Sequence, residues 1–256
     1  SSATYLITGP QSSTCLILND DSTNPVIGKY LLQHSIPWPS NPQNYGAHLG
    51  QSVSMDGNYT VVGAPWEYSG AVQSGMVRVF NSTSGSLTQI IPNPEPYSYD
   101  SFGHAVAIAG TKVVVGTIFD DWGFTPSARV YVFDLEGVRP TTPIVTFNMP
   151  IYFGVDRMFG YSVAISGNRV VVGDFDFGIV YVYDLNSATP TNPVATLRHP
   201  DAGRVQGTEF GYAVAISGTQ IVVGGNDSVA EKVYVYSLTS VTPIAPIMSL
   251  NNLGSS

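Results

Sequence analysis

The side chains most able to do chemistry are few and scattered. The chain holds four histidines, His34, His48, His104 and His199, and one cysteine, Cys15. No histidine stands at metal-ligand spacing from another histidine, a cysteine or a carboxylate. His104 lies in a recurring segment where Tyr161 and Tyr212 hold the same place, so it reads as a variant of a structural position. The nearest approach to a constellation is acidic: Asp120-Asp121 and Asp174-Phe175-Asp176. Paired carboxylates can hold a cation or divide acid and base work. Both pairs fall at equivalent places, where Asn226-Asp227 also falls, and that recurrence favours polar capping of loops. Asp120, Asp121, Asp174 and Asp176 are therefore only weak metal candidates, and no residue is assigned as catalytic. There is no Gly-x-Ser-x-Gly elbow, phosphate loop, dinucleotide fingerprint or Cys-x-x-Cys pair. The expectation is a protein that is not an enzyme and that uses no cofactor.

Other side chains point to binding rather than reaction. Trp38, Trp66 and Trp122 sit in segments that read as loops. Loop tryptophans form sugar-stacking platforms or interface hot spots, and they also pack over the ends of sheets. They are weak ligand-binding candidates. Asn58, Asn81 and Asn226 each open an Asn-x-Ser/Thr sequon, at turns or strand ends where a glycan has room. The loops Ser187-Ala-Thr-Pro190 and Arg139-Pro-Thr-Thr-Pro143 could carry O-glycans.

Composition narrows the classes of partner. Of 256 residues, 43% are hydrophobic and 11% charged, against about 25% charged in typical soluble domains. The net charge is −8, so the basic footprint of a nucleic-acid binder is missing. An anionic membrane surface would repel such a chain, and no apolar run approaches the ~20 residues of a membrane span. The opening Ser-Ser-Ala-Thr fits a mature N-terminus left by cleavage of a leader, and the expected location is extracellular or on the cell surface. Cys15 lies in the apolar run Cys15-Leu-Ile-Leu18. It reads as a small buried hydrophobe, with an intermolecular disulfide as the alternative.

The elements that must position these residues come from an internal repeat. One row reads Phe102-Gly103-His-Ala-Val-Ala-Ile108, then Val113-Val-Val-Gly116. The next read Phe159-Gly160 to Ile165 then Val170 to Gly173, and Phe210-Gly211 to Ile216 then Ile221 to Gly224. A divergent row reads Leu49-Gly50 to Met55, then Thr60-Val-Val-Gly63. The two glycines of a row are 13 residues apart in all four, and the second recurs after 53, 57 and 51 residues. Each row carries further strand signals, a third such as Val130-Tyr-Val-Phe133 and, after a Pro-rich loop, a fourth such as Ile144-Val-Thr-Phe147. Turns such as Ser166-Gly167-Asn168 join the first two strands, with glycine supplying the positive φ of a two-residue hairpin. Four antiparallel strands per ~50 residues is the signature of a propeller blade. The nearly unbroken apolar runs fit sheets buried on both faces.

These rows resemble the FG-GAP repeats known from integrin α-chains and other surface proteins. Leu49-Gly50 followed by Gly63-Ala64-Pro65 carries the name-giving motif. The resemblance covers roughly residues 48–250. It implies an all-β propeller of four-stranded antiparallel blades and says little of function, because one fold hosts many. Integrin-type repeats often carry an Asp-x-Asp-x-Asp-Gly calcium loop between the first two strands. Here a short glycine turn takes that place, too small to offer six to eight oxygens, so integrin-style calcium sites are not expected.

The expected domain is a single propeller over 1–256, with a partial blade at 1–47 and blades at about 48–99, 100–156, 157–207 and 208–256. Gly9 aligns with Gly63, making Leu6-Ile-Thr-Gly9 a second strand, so the partial blade lacks a first strand. Leu253-Gly254 resembles the start of one, but the backbone from Leu250 reaches only ~10 Å, whereas three strand spacings need roughly 14 Å. A longer natural chain, a three-stranded blade, or a strand donated by a neighbouring molecule all remain open. The functional expectation is non-catalytic self-assembly or adhesion outside the cell, with homo-oligomers or filaments joined through the open blade. Glycans or surface proteins are the other partners considered. The alternatives are a carbohydrate-binding propeller lectin and, behind it, a polysaccharide-acting enzyme.

Overall fold

The computed structural model describes residues 46–118, 128–149, 158–200, 209–225 and 232–251. They form four four-stranded antiparallel sheets, each a meander in chain order. Blade 1 comprises β1 (Val53–Asp56), β2 (Tyr59–Ala64), β3 (Met76–Asn81) and β4 (Leu87–Pro92). Blade 2 comprises β5 (Ala105–Ala109), β6 (Lys112–Gly116), β7 (Arg129–Asp134) and β8 (Val145–Asn148). Blade 3 comprises β9 (Phe159–Ser166), β10 (Arg169–Asp174), β11 (Ile179–Asp184) and β12 (Ala195–Arg198). Blade 4 comprises β13 (Ala213–Ser217), β14 (Gln220–Gly225), β15 (Lys232–Ser237) and β16 (Met248–Asn251). The partial blade expected at 1–47 lies outside the described residues, apart from Gly46 and Ala47.

Local chemistry fixes each meander. The first two strands of every blade meet at a two-residue turn, as in Ser166 pairing with Arg169 across Gly167-Asn168. The turn glycines Gly57, Gly110, Gly167 and Gly218 have φ between +53 and +59. That conformation is nearly free for glycine and strained for other residues. The third strand is tied back to the same turn: the amides of Ser82, Leu135, Leu185 and Leu238 donate to the carbonyls of Asn58, Thr111, Asn168 and Thr219 at 2.8–2.9 Å.

The core lies between blades rather than within any one of them. Val61, Val77, Val79 and Ile91 on one face of blade 1 pack against Phe102, Val106, Ile108, Val113, Val115, Tyr131 and Phe133 of blade 2. Val114, Val130, Val132 and Phe147 of blade 2 likewise meet Phe159, Ile165, Val170, Val172, Tyr181 and Tyr183 of blade 3. Val171, Val180, Val182 and Leu197 of blade 3 meet Phe210, Ile221, Val223, Tyr234 and Tyr236 of blade 4. In each joint the earlier blade thus offers a mainly aliphatic trailing face and the later blade a leading face rich in aromatics. Strands alternate their side chains between these faces, which explains why β6, β7, β10 and β11 are apolar at nearly every position. Two of the interior rings stack across a joint, Phe147 on Tyr183 at 4.0 Å.

Candidate functional site

Two features of the array concentrate unusual residues: the joint between blades, and a row of rings along one end.

The joint is built on the paired glycines of each row. The first glycine, Gly50, Gly103, Gly160 or Gly211, has φ between +90 and +94. Its amide is turned onto the second glycine of its own blade: Gly50 donates to Gly63 at 2.9 Å, Gly103 to Gly116 at 3.2 Å and Gly211 to Gly224 at 3.0 Å. The same turn aims its carbonyl at the blade before. A Cβ on Gly63 would stand 2.0 Å from the Gly103 oxygen, one on Gly116 2.1 Å from Gly160, and one on Gly173 2.2 Å from Gly211. Only hydrogen fits there. Ser52 and Ser162 add hydroxyl hydrogen bonds of 2.7 Å to the carbonyls of Gly103 and Gly211 in the following blade. Further bonds cross the joints at the hairpin turns. The Gly110 amide donates to Asp56 at 2.6 Å, and that of Gly218 to the Ser166 hydroxyl at 3.0 Å. The constant 13-residue spacing was the sequence signal for this contact, but spacing alone did not show that the glycines of different blades touch.

The ring row uses the residue just after the first glycine. Gln51, His104, Tyr161 and Tyr212 lie in or just before the first strands of successive blades and stand next to one another. The Gln51 amide donates to His104 Nδ1 at 3.1 Å. His104 and Tyr161 have centroids 4.7 Å apart, and Tyr161 and Tyr212 are 4.9 Å apart. Phe175, from the β10–β11 turn, fits against both tyrosines at 4.6 and 5.5 Å. At the other end His48 donates from Nδ1 to Gln51 Oε1 at 3.2 Å. Trp66, exposed, stacks on the His48 ring at 3.7 Å. Burial lowers the pKa of His104, consistent with a neutral ring whose Nδ1 accepts from Gln51. Burial, and then the hydrogen bond with Tyr212, push the Tyr161 phenol up to about 12. Reading each residue separately places His104 correctly as a counterpart of Tyr161 and Tyr212. That the counterparts touch follows from the stacking of blades.

The remaining sequence candidates fall apart spatially. Asp174 ends β10 and is fully buried, its backbone nitrogen 3.4 Å from where a Cβ on Gly211 would lie, and Asp176 is half-buried in the turn that follows. Asp174 thus belongs to a buried strand end rather than to an open loop. Among the described residues no three His, Cys, Asp or Glu side chains gather as a metal site would need. Asp120, Asp121, Trp38, Trp122 and Asn226 lie outside the described residues, as does Cys15. Asn58 is exposed in the β1–β2 turn. Asn81 closes β3, and its Oδ1 accepts from the amides of Thr83 and Ser84 at 3.0 and 2.8 Å.

One pair was not anticipated. Arg78 stands where Tyr131, Tyr181 and Tyr234 stand in later blades, and it forms a two-pronged, buried ion pair with Glu67. The substitution of Arg for Tyr inside a repeat was the available signal. A lone arginine in place of an aromatic requires a buried carboxylate to neutralise it.

Four-stranded meanders stacked face to face through aromatic-on-aliphatic joints define a β-propeller. The FG-GAP repeat family model matches residues 43–80 and 89–133, so the chain carries FG-GAP repeats. No curated protein matches the chain. Among solved structures it is similar to the Dos1 propeller, with 18% identity over 75% of this chain and 42% of that one, at a TM-score of 0.48. It is also similar to the WD40 β-propeller domain of Doa1, with 13% identity over 77% of this chain and 52% of that one, at a TM-score of 0.48. A europium-containing methanol dehydrogenase matches at 14% identity over 56% of this chain and 23% of that one, with a TM-score of 0.40. The chain spans about half or less of the length of each of these.

Proposed function

We propose that this propeller is a non-catalytic extracellular module that acts in self-assembly or adhesion. The observation that carries the reading is a complete apolar blade face, on blade 4, with nothing packed against it among the described residues. A protein with 11% charged residues has little charge with which to keep such a surface apart from others, and contiguous apolar faces of this kind mark interaction sites. Homo-oligomers or filaments are the expected partners. Strand complementation of the partial blade at 1–47 is one way to join them. The sequons at Asn58, Asn81 and Asn226 fit a secreted glycoprotein. Light scattering coupled to size-exclusion chromatography tests the reading: mass should rise above 27.3 kDa with concentration. A single monomeric species at the highest attainable concentration would refute it.

The ring row favours a second reading, a carbohydrate-binding propeller. Trp66 and Tyr212 are exposed at its two ends, and aromatic faces with polar neighbours such as Gln51 suit sugar rings. Binding on a glycan array that is lost in Trp66→Ala would support it. An array with no hits would dismiss it.

A further inference from the structure

The β7–β8, β11–β12 and β15–β16 connections are one double turn made three times. The amides of Gly137, Ser187 and Ser240 donate to the carbonyls of Asp134, Asp184 and Ser237 at 3.0–3.1 Å. Those of Thr142, Asn192 and Ala245 close a second turn on the carbonyls of Arg139, Thr189 and Thr242 at 2.9–3.0 Å. Those of Ile144, Val194 and Ile247 then return to Val132, Val182 and Val235 at 2.7–2.8 Å. Pro140, Pro190 and Pro243 take the second position of the closing turn, which their fixed φ suits. Blades 2 and 3 each have a described blade packed on either side, and the turns at this end of them are all described.

The residues in these turns are not the ones the turns call for. Such positions favour Gly, Asn, Asp and Ser, which free the backbone or bond to it. Here they hold threonine, a β-branched residue suited to strands: Thr141 and Thr142 in blade 2, Thr189 and Thr191 in blade 3, and Thr242 in blade 4. All five are exposed, while the prolines beside them are half-buried. The amides of Thr189 and Thr242 are engaged, by the hydroxyls of Ser187 and Ser240 at 3.2 and 3.1 Å. Among the described residues, none of the five threonine hydroxyls makes a hydrogen bond, so the turn is complete without them. Apolar side chains stand out beside them. Val138 and Val241 are 101% and 102% exposed, and Ile144, Val194 and Ile247 about half. A chain with 11% charged residues has few other groups with which to hydrate such a rim.

We propose that Thr141, Thr142, Thr189, Thr191 and Thr242 are acceptors of O-linked sugars. Threonine set among prolines is the composition of O-glycosylated segments, and here it lies on a rigid, protruding turn. The threonine Oγ1 attacks the anomeric carbon of an activated sugar phosphate, a nucleotide or lipid-linked sugar held by a transferase. The Oγ1–carbon bond forms as the bond from that carbon to the phosphate oxygen breaks. The phosphate leaves with the electron pair, and the hydroxyl proton passes to a base of the transferase. A hydroxyl with no hydrogen bond in the native fold gives up none when it enters the transferase. A transferase that meets the folded chain reaches only exposed hydroxyls, which separates the five from the half-buried Thr146 and Thr196 in the strands that follow. Sugars on these turns hydrate the rim beside Val138, Ile144 and Val194. The proposal rests on the extracellular part of the proposed function and is independent of any self-assembly contact.

The test uses the full chain secreted from an animal cell line and from a yeast, with N-linked sugars removed enzymatically. Intact mass and electron-transfer sequencing of the peptides spanning 134–148, 184–198 and 237–251 read the result. Whole-sugar mass steps should appear on the exposed threonines of these turns and be absent from Thr146 and Thr196. A variant carrying Thr141→Ala, Thr142→Ala, Thr189→Ala, Thr191→Ala and Thr242→Ala should lose all of them. Its melting temperature should match that of the unmodified wild type, because these hydroxyls bond nothing. Bare turns in both hosts would overturn the inference and leave the extracellular reading standing, as would sugars confined to other residues or kept in the variant. Failure of both hosts to secrete folded protein would count against the extracellular reading. The turns would then be tested on folded, unmodified chain from bacteria, incubated with a polypeptide N-acetylgalactosaminyltransferase and its uridine diphosphate sugar. Sugar on the five threonines would uphold the inference, and unmodified turns would overturn it.

Discussion

Substituting one methyl group at two equivalent glycines should give opposite results. In Gly173→Ala the new Cβ would lie 2.2 Å from the Gly211 oxygen and 2.3 Å from the Ser162 hydroxyl. Ser162 can rotate, at the loss of its 2.7 Å bond to Gly211. The carbonyl cannot retreat unless the start of blade 4 moves with it, carrying the fully buried Phe210 out of its packing. Overpacking a tight interior costs about 1–3 kcal/mol, and the lost hydrogen bond adds roughly 1 kcal/mol. A destabilisation of about 2–4 kcal/mol follows. At ~2–4 °C per kcal/mol for a domain of this size, the melting temperature should fall by roughly 4–16 °C. Gly224→Ala should do the reverse. Its nearest contacts among the described residues are at van der Waals distance, and removing a glycine's unfolded freedom stabilises by ~0.4–1 kcal/mol. The assay is urea denaturation of both variants and wild type under monomeric conditions, followed by circular dichroism, with unchanged slopes required. Equal destabilisation by the two substitutions would refute the claim that the glycine requirement comes from the following blade.

Other perturbations probe different parts of the array. Glu67→Gln leaves the Arg78 guanidinium buried without a counter-charge and should cost about 3–5 kcal/mol, measured by the same denaturation; a loss under 1 kcal/mol would mean that the pair is hydrated. His104 is held neutral by burial, so the native state takes up a proton less readily than the unfolded chain. Stability should therefore be level above about pH 7 and fall as pH drops through the unfolded value of about 6.5. His104→Tyr, which copies the neighbouring blades, should flatten that segment of the profile, and an unchanged slope would assign it to another group. Phe159→Ala empties the centre of a joint where the ring is fully buried and should cost roughly 3–5 kcal/mol. Intact-mass measurement of the protein expressed through a eukaryotic secretory route should exceed 27.3 kDa if Asn58 or Asn81 carries glycan, and a bare mass would rule that out.

The sequence made the blades legible because their determinants are local. The Gly57, Gly110, Gly167 and Gly218 turns, the period of about 50 residues, and apolar runs such as Val113 to Val115 each act within one hairpin. They located the four blades and their first three strands, and the fourth strands of blades 2 to 4 to within a residue. The fourth strand of blade 1, Leu87–Pro92, was not identified, since Thr88 and Gln89 break the apolar pattern of its counterparts. The joints were less visible, because they are made by residues some 50 positions apart. A glycine looks the same in sequence whether it serves a turn, as Gly167 does, or a close approach, as Gly173 does. Asp174 shows the same limit: its place in the chain suggests a loop, while in the structure it ends β10 and is buried. The ring row from Trp66 to Tyr212 is likewise a property of stacking, assembled from residues of all four blades.

A repeat array faces a problem that an ordinary globular domain does not. Each unit buries its apolar faces only against its neighbours, so the terminal units are left half-satisfied and usually carry polar substitutions on their outer faces. Among the described residues, the trailing face of blade 4 carries no such polar cap. Positions that would be polar on a cap hold Val222, Val233, Val235 and Leu250, and the position that would tolerate any small side chain holds Gly224. Blade 1 differs in the opposite sense. Its leading face replaces the usual Phe with Leu49 and the usual Tyr with Arg78, and it still presents Val53 and Met55. An outer face that keeps every determinant of an inner joint is under the same physical demand as an inner joint, namely a carbonyl-bearing Leu-Gly or Phe-Gly step seated against a glycine and a large side chain over Leu250. A further blade of this repeat would meet that demand.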